Sequence, residues 1–118
     1  MADFHWADQV ANEIIRRKRE VYVCSSGVTP SGTVHIGNFR EIITVDLVVR
    51  ALKDKKVKFL FYWDDYDRLR KIPANVTKEF EKNIGMPVSD IKDPFKCHKS
   101  YAEHFEKELE ESLPFVGI

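Results

Sequence analysis

The sequence predicts an α/β fold built on one strand–helix–strand unit and continued by a helical segment. Three observations carry this. Two apolar runs rich in strand formers, residues 21–24 and 57–63, flank an apolar stripe at helical spacing. A loop of glycine and hydroxyl residues, 25–33, joins the first run to that stripe. Beyond Lys71, Pro73, Pro87 and Pro94 punctuate short turns that lead to a charged helix over about residues 100–112.

The elements follow in order. Over residues 6–18, Trp6, Val10, Ile14 and Ile15 recur at helical spacing, and Arg16, Arg17 and Lys18 suit a helix C-terminus, so a surface helix is expected. The strand at 21–24 gives way to the loop. Ile36, Phe39, Ile43, Leu47, Val48 and Leu52 then define a helix of about five turns that begins near His35. Residues 57–63 are almost continuously apolar, as in a strand covered on both faces, and run into Asp64, Asp65, Tyr66 and Asp67. A right-handed crossover makes the two strands parallel and brings the loop and the aspartates to one sheet edge, where open α/β sheets bind ligands. A boundary is expected near Pro73, giving segments 1–72 and 73–118.

Composition narrows the function classes. With 118 residues, 43% of them hydrophobic, the chain can build one modest core. Nineteen basic and nineteen acidic side chains cancel, so net charge argues neither for nor against a nucleic-acid partner. Two cysteines 73 positions apart make no disulfide framework, and residues 1–5 show no signal-peptide pattern. No apolar run approaches the roughly 18 residues of a membrane span. A cytoplasmic protein without membrane contact is expected.

The stretch from Gly27 to Asn38 has the layout of a phosphate site. Free N–H groups and the dipole of a helix start favour negative charge, and His35 and Asn38, at i and i+3, share one side of the first turn. Gly37 between them costs up to about 1 kcal/mol in a helix, which suits a flat ring lying against bare backbone. Taken singly, His35 reads more readily as an ordinary polar residue at a helix start, with the glycines as turn residues. Asp64 and Asp65 either bind a substrate amino group or cap the following turn. Asp93, Cys97, His98 and His104 offer four possible ligands, a carboxylate, a thiol and two imidazoles, for a tetrahedral metal within twelve positions; the other reading is a buried structural cysteine beside two surface histidines.

The string Pro30-Ser31-Gly32-x-x-His35-Ile36-Gly37-Asn38 resembles the first signature of class I aminoacyl-tRNA synthetases. Its flanks, residues 26–32 and 39–41, together with 63–71, 85–88 and 101–105, are similar to class I lysyl-tRNA synthetases, in which Asn38 in place of a final histidine is usual. The resemblance covers nearly the whole chain. It implies the first half of a Rossmann-like nucleotide-binding fold and a zinc-binding helical insertion. It further implies activation of lysine by ATP with magnesium, followed by transfer of the lysyl group to tRNA-Lys. On that basis Pro30, Gly32, His35, Gly37 and Asn38 bind ATP, with His35 and Asn38 stabilising the reacting phosphates. Gly27, Thr29, Glu41 and Asp64 are expected at the lysine, Glu41 as a candidate partner for its ammonium; on its own Glu41 reads equally as a solvated helix carboxylate with no specific contact. Asp93, Cys97, His98 and His104 hold a structural zinc.

Nothing in the 118 residues resembles the lysine-rich second signature of that class, so the chain is expected to be an N-terminal portion that is not active alone. An apolar strand lacking its further neighbours also implies self-association, or association with the remaining portion. Two other readings stand beside this one: a nucleotidyltransferase of the same superfold, and a non-enzymatic zinc-stabilised module that binds RNA or protein.

Overall fold

The computed structural model describes residues 5–118; the signal-peptide reading of residues 1–4 lies outside them. Its elements run α1 (Trp6–Ile15), β1 (Tyr22–Val28), α2 (Ile36–Ala51), β2 (Val57–Trp63) and α3 (Tyr101–Ser112), with 3₁₀ turns at Lys78–Asn83, Val88–Asp90 and Leu113–Val116. The residues form two compact units. One holds the described residues up to Gly27 together with Gly37–Tyr62; the other holds Val28–Ile36 and Trp63–Ile118.

The first unit carries the strand–helix–strand unit. Its two strands pair directly, and they are parallel: Tyr22 N–H donates to Lys56 O at the start of the ladder and Asp64 N–H to Val28 O at its end. This ladder extends β1 four residues past the expected end at Cys24. Ser25, Ser26 and Gly27 have low strand preference, but pairing along the whole of β2 overrides it. Gly27 therefore lies in a strand, not in a loop.

Helices α1 and α2 cover one side of this sheet. Ala7 and Ala11 of α1 pack against Val48 and Leu52 of α2, with Ile14, Ile15, Leu47, Cys24 and Val57 around them. The buried stripe of α1 is thus one position off the expected one, since the small alanines let the helices approach and leave Trp6 and Val10 about two-fifths exposed. The α2 stripe is buried at its C-terminal half, whereas Ile36 is 88% exposed. Helix α1 ends at Ile15, so Arg16 to Lys18 lie beyond it, and His5 caps its start by accepting from Ala7 N–H at 3.2 Å. Strand β2 is not covered on both faces: Val57, Phe59, Phe61 and Trp63 are half-buried while Lys58, Leu60 and Tyr62 are exposed. Helices on one side alone explain the alternation.

The second unit has its own core of Leu69, Val76, Val88, Ile91, Tyr101, Ala102 and Phe105, with Ile72 and Phe80 against it. Residues 65–69 run antiparallel to 85–89: Leu69 exchanges bonds with Met86 and Gly85, and Arg68 bridges to Pro87. Helix α3 starts as expected at Ser100, whose hydroxyl accepts from Glu103 N–H at 3.0 Å. Among the described residues no helix is long and apolar enough to cross a membrane.

Candidate functional site

The loop that leaves β1 is held by four contacts within the second unit. Thr29 Oγ1 donates to Asp67 Oδ2 at 3.0 Å, and Asn75 Nδ2 donates to Thr33 Oγ1 at 3.2 Å. The Tyr101 hydroxyl donates to Ser31 O at 2.5 Å, and burial pushes its pKa up to about 12. Gly32 is pressed so closely on Pro73 that an added Cβ would lie 2.8 Å from the ring Cγ. Pro30 is fully buried. The loop is thus a shaped segment that enters α2, and His35, Ile36, Gly37 and Asn38 are all exposed at that entry. No acidic residue occupies the first turn of α2, so the positive end of its peptide dipole is not offset there.

The other expected ligand contacts are distributed unevenly. Pro30, Gly32, Thr29, His35 and Asp64 belong to the second unit; Gly27, Gly37, Asn38 and Glu41 belong to the first. Glu41 is exposed on α2, and Asp64 is exposed at the end of β2, where its backbone closes the ladder. The turn-capping carboxylate is neither Asp64 nor Asp65 but Asp67, which accepts from Arg68 N–H and from Thr29. Those two bonds, with Arg70 and Arg68 nearby, hold its pKa below the ordinary carboxylate value. Asp67 and Tyr101 were not foreseen as loop anchors.

Asp93, Cys97, His98 and His104 do come together, with one ligand atom from each lying within 4.8 Å of all the others. Cys97 Sγ is 3.1 Å from His98 Nδ1, 3.2 Å from His104 Nδ1 and 3.3 Å from Asp93 Oδ2. Asp93 Oδ2 is 3.3 Å from His104 Nδ1 and 3.6 Å from His98 Nδ1. The loop is built around Asp93, whose carboxylate accepts from the N–H groups of Phe95, Cys97 and His98. Lys96 turns the chain with φ 59°. Burial raises the Asp93 pKa, but those N–H groups and the Cys97 thiol outweigh it and hold it at about 2. Desolvation and the Asp93 charge push the Cys97 thiol up. His104, in the first turn of α3, is fixed by stacking on Phe95 at 4.6 Å, with Nε2 3.7 Å from Glu108 Oε2. A structural cysteine beside two unrelated histidines is not what these distances describe; the four residues are one donor cluster that could hold a metal ion.

Sequence comparison decides the family. The family model described as tRNA synthetases class I (K) matches residues 4–118. This chain belongs to the class I lysyl-tRNA synthetases. A lysine–tRNA ligase of Treponema pallidum (strain Nichols) is 57% identical over 120 residues, which cover 97% of this chain and 23% of that protein. One from Pyrococcus horikoshii is 52% identical over 118 residues, again 97% and 23%. One from Borreliella burgdorferi is 45% identical over 124 residues, 100% and 24%. The chain therefore spans about a quarter of the length of these class I lysyl-tRNA synthetases. The motif from Pro30 to Asn38 and the donor cluster both lie within the matched residues.

Proposed function

We propose that this chain supplies the ATP- and lysine-binding part of a class I lysine–tRNA ligase. The observation that carries the reading is the pinned loop from Thr29 to Thr33, which leads into an exposed, acid-free helix start bearing His35, Gly37 and Asn38. The positive end of a helix dipole at an exposed helix start favours a triphosphate. Pro30 and Gly32 set the shape of the loop, Gly37 lets the adenine lie close to the backbone, and His35 and Asn38 donate to phosphate oxygens. Gly27, Thr29, Glu41 and Asp64 serve the lysine. ATP enters as its magnesium complex.

In the reaction so assigned, the lysine carboxylate oxygen attacks the α-phosphorus, the α–β anhydride bond breaks and pyrophosphate leaves. The lysyl-adenylate, a mixed carboxylic–phosphoric anhydride, then passes its lysyl group to a ribose hydroxyl at the 3′ end of tRNA-Lys, and AMP leaves. Transfer of this kind needs placed donors more than covalent help, so the role of His35 and Asn38 is to stabilise charge as it builds on the phosphates. Residues 1–72 would be the first half of a Rossmann-like nucleotide fold and 73–118 the start of a helical insertion, in a cytoplasmic enzyme whose further segments complete the site.

The donor cluster fits zinc. Ligands at about 2.0–2.3 Å from one tetrahedral ion lie about 3.3–3.6 Å apart, close to the separations of Cys97 from the other three and of Asp93 from the two histidines. Thiolate and carboxylate together also neutralise a divalent charge. With all four positions filled by protein, the zinc is structural, tying residues 93–98 to α3.

Thermal unfolding tests the binding. Lysine with magnesium ATP should raise the melting temperature, other amino acids should not, and His35→Ala should remove the shift while the circular dichroism spectrum is kept. A shift that is indifferent to lysine, or to His35, would refute the assignment.

A further inference from the structure

We propose that Tyr101 is a positioning residue that links the donor cluster to the loop from Thr29 to Thr33, so that metal held by Asp93, Cys97, His98 and His104 sets the order of that loop and with it the affinity for ATP. All of these residues belong to the second unit. Of the loop's four anchors, Tyr101 alone stands on the helix that carries a cluster residue: it opens α3, and His104 lies in the same first turn. Tyr101 is also tied at both ends. Its N–H donates to Ile91 O at 2.8 Å, just before Asp93, and its hydroxyl donates to Ser31 O at 2.5 Å. The ring between them is 0% exposed and packs on Phe105 at 4.9 Å. Phe105 in turn meets His104 at 4.9 Å and Phe95 at 6.3 Å. Packed rings therefore run from the cluster to the residue that grips the loop.

The movement required is small. Asp93, Cys97 and His98 come from the loop before α3 and His104 from the helix itself, so four ligands on one ion fix the 91–93 backbone against the first turn of α3. Those are the two supports from which Tyr101 reaches Ser31. When they shift apart, the hydroxyl moves with them. O–H···O bonds span about 2.5–3.0 Å, so a displacement of roughly 0.5–1 Å at the hydroxyl weakens or ends this one. The other bond at Ser31, its own N–H to Thr29 O at 2.8 Å, is local and places the loop against nothing else. Thr29, Gly32 and Thr33 are held by Asp67, Pro73 and Asn75, none of them on α3. The Ser31 carbonyl thus answers to α3, and the stretch that follows it carries His35 to the start of α2. Two sites that bias one element are coupled, and the coupling is reciprocal.

The test compares wild type and Tyr101→Phe, each loaded with zinc and each stripped by chelator and dialysis. Phenylalanine keeps the buried ring and removes only the hydroxyl, and Ser31 is exposed, so water takes over its carbonyl and the circular dichroism spectrum should be unchanged. Exchange of the Ser31 amide proton, followed by NMR, reads the loop without any nucleotide. In the wild type it should quicken about tenfold on stripping; in Tyr101→Phe it should be fast with zinc or without. Titration with magnesium ATP reads the consequence. Stripped wild type and both forms of Tyr101→Phe should bind about tenfold more weakly than zinc-loaded wild type, so the two changes are not additive. Reciprocity requires ATP to tighten zinc by the same factor in the wild type and not in Tyr101→Phe. Exchange and affinity indifferent to zinc in the wild type would overturn the proposal. So would an ATP–zinc coupling that survives in Tyr101→Phe, because it would then bypass the hydroxyl. The ATP arm rests on the synthetase reading above; the exchange arm does not. Zinc-loaded wild type that binds no ATP, or binds it equally well with His35→Ala, would count against that reading, and Ser31 exchange would still decide the link.

Discussion

Gly32 shows how much of the site rests on single atoms. Its missing Cβ lets Pro73 close on the loop, and a methyl there would sit 2.8 Å from a ring carbon that cannot swing away. Gly32→Ala should cost about 1–3 kcal/mol, the range for overpacking, read as a lower urea midpoint at unchanged slope. Glu106 offers a second test at this scale. Its Oε1 is buried without a hydrogen-bond partner, and burial, then the Asp65 carboxyl and Glu110, push its pKa to about 7. A carboxyl with a folded-state pKa above its ordinary 4.5 favours folding while protonated. That contribution is fully present below about pH 4.5 and is lost as the pH rises through 7. Melting temperatures should fall between pH 5 and 8, and Glu106→Gln should flatten the fall. A wild-type curve that is level over this range would show that Glu106 ionises freely. At residue scale the sequence was most legible where partners are near in the chain, as with Asp93 to His104. Thr29 with Asp67 and Ser31 with Tyr101 lie 38 and 70 positions apart, and no local pattern announces such pairs.

Among the elements, β2, the start of α2 and the capped start of α3 were readable because apolar spacing and a serine cap are local signals. The extension of β1 through Ser25 to Val28 was not, because its cause is the neighbouring strand. The buried face of α1 was misjudged for a related reason. Two alanines, not the larger Trp6 and Val10, make the contact with α2, and helix approach is decided in three dimensions. The donor cluster joins the 93–98 loop to α3, so metal and local folding should be linked. We expect about one zinc per chain by metal analysis, lost in Cys97→Ala, with the segment beyond Pro73 becoming protease-sensitive in that variant and on chelation. Protein carrying no zinc after metal-replete purification, or a zinc-free chain as resistant as the loaded one, would exclude the structural role.

For the whole molecule, the sheet is the telling feature. The described residues supply two strands, and one face of the pair leaves Val23, Leu60 and Tyr62 exposed. The sequence made β2 look doubly covered because its residues are apolar on both sides. The relatives are about four times as long as this chain. An exposed apolar face favours association, so light scattering should report self-association of the isolated chain that a covering partner suppresses. The measurement that bears most directly on the central claim uses such a partner. The Treponema pallidum lysine–tRNA ligase lacking its matching N-terminal quarter would be mixed with this chain, and lysine-dependent exchange of pyrophosphate into ATP followed. Exchange should appear in the mixture, be absent from either piece alone, and vanish with His35→Ala. A mixture that forms a complex yet exchanges no pyrophosphate, or exchanges it equally well with His35→Ala, would contradict the claim that this chain carries the ATP- and lysine-binding site.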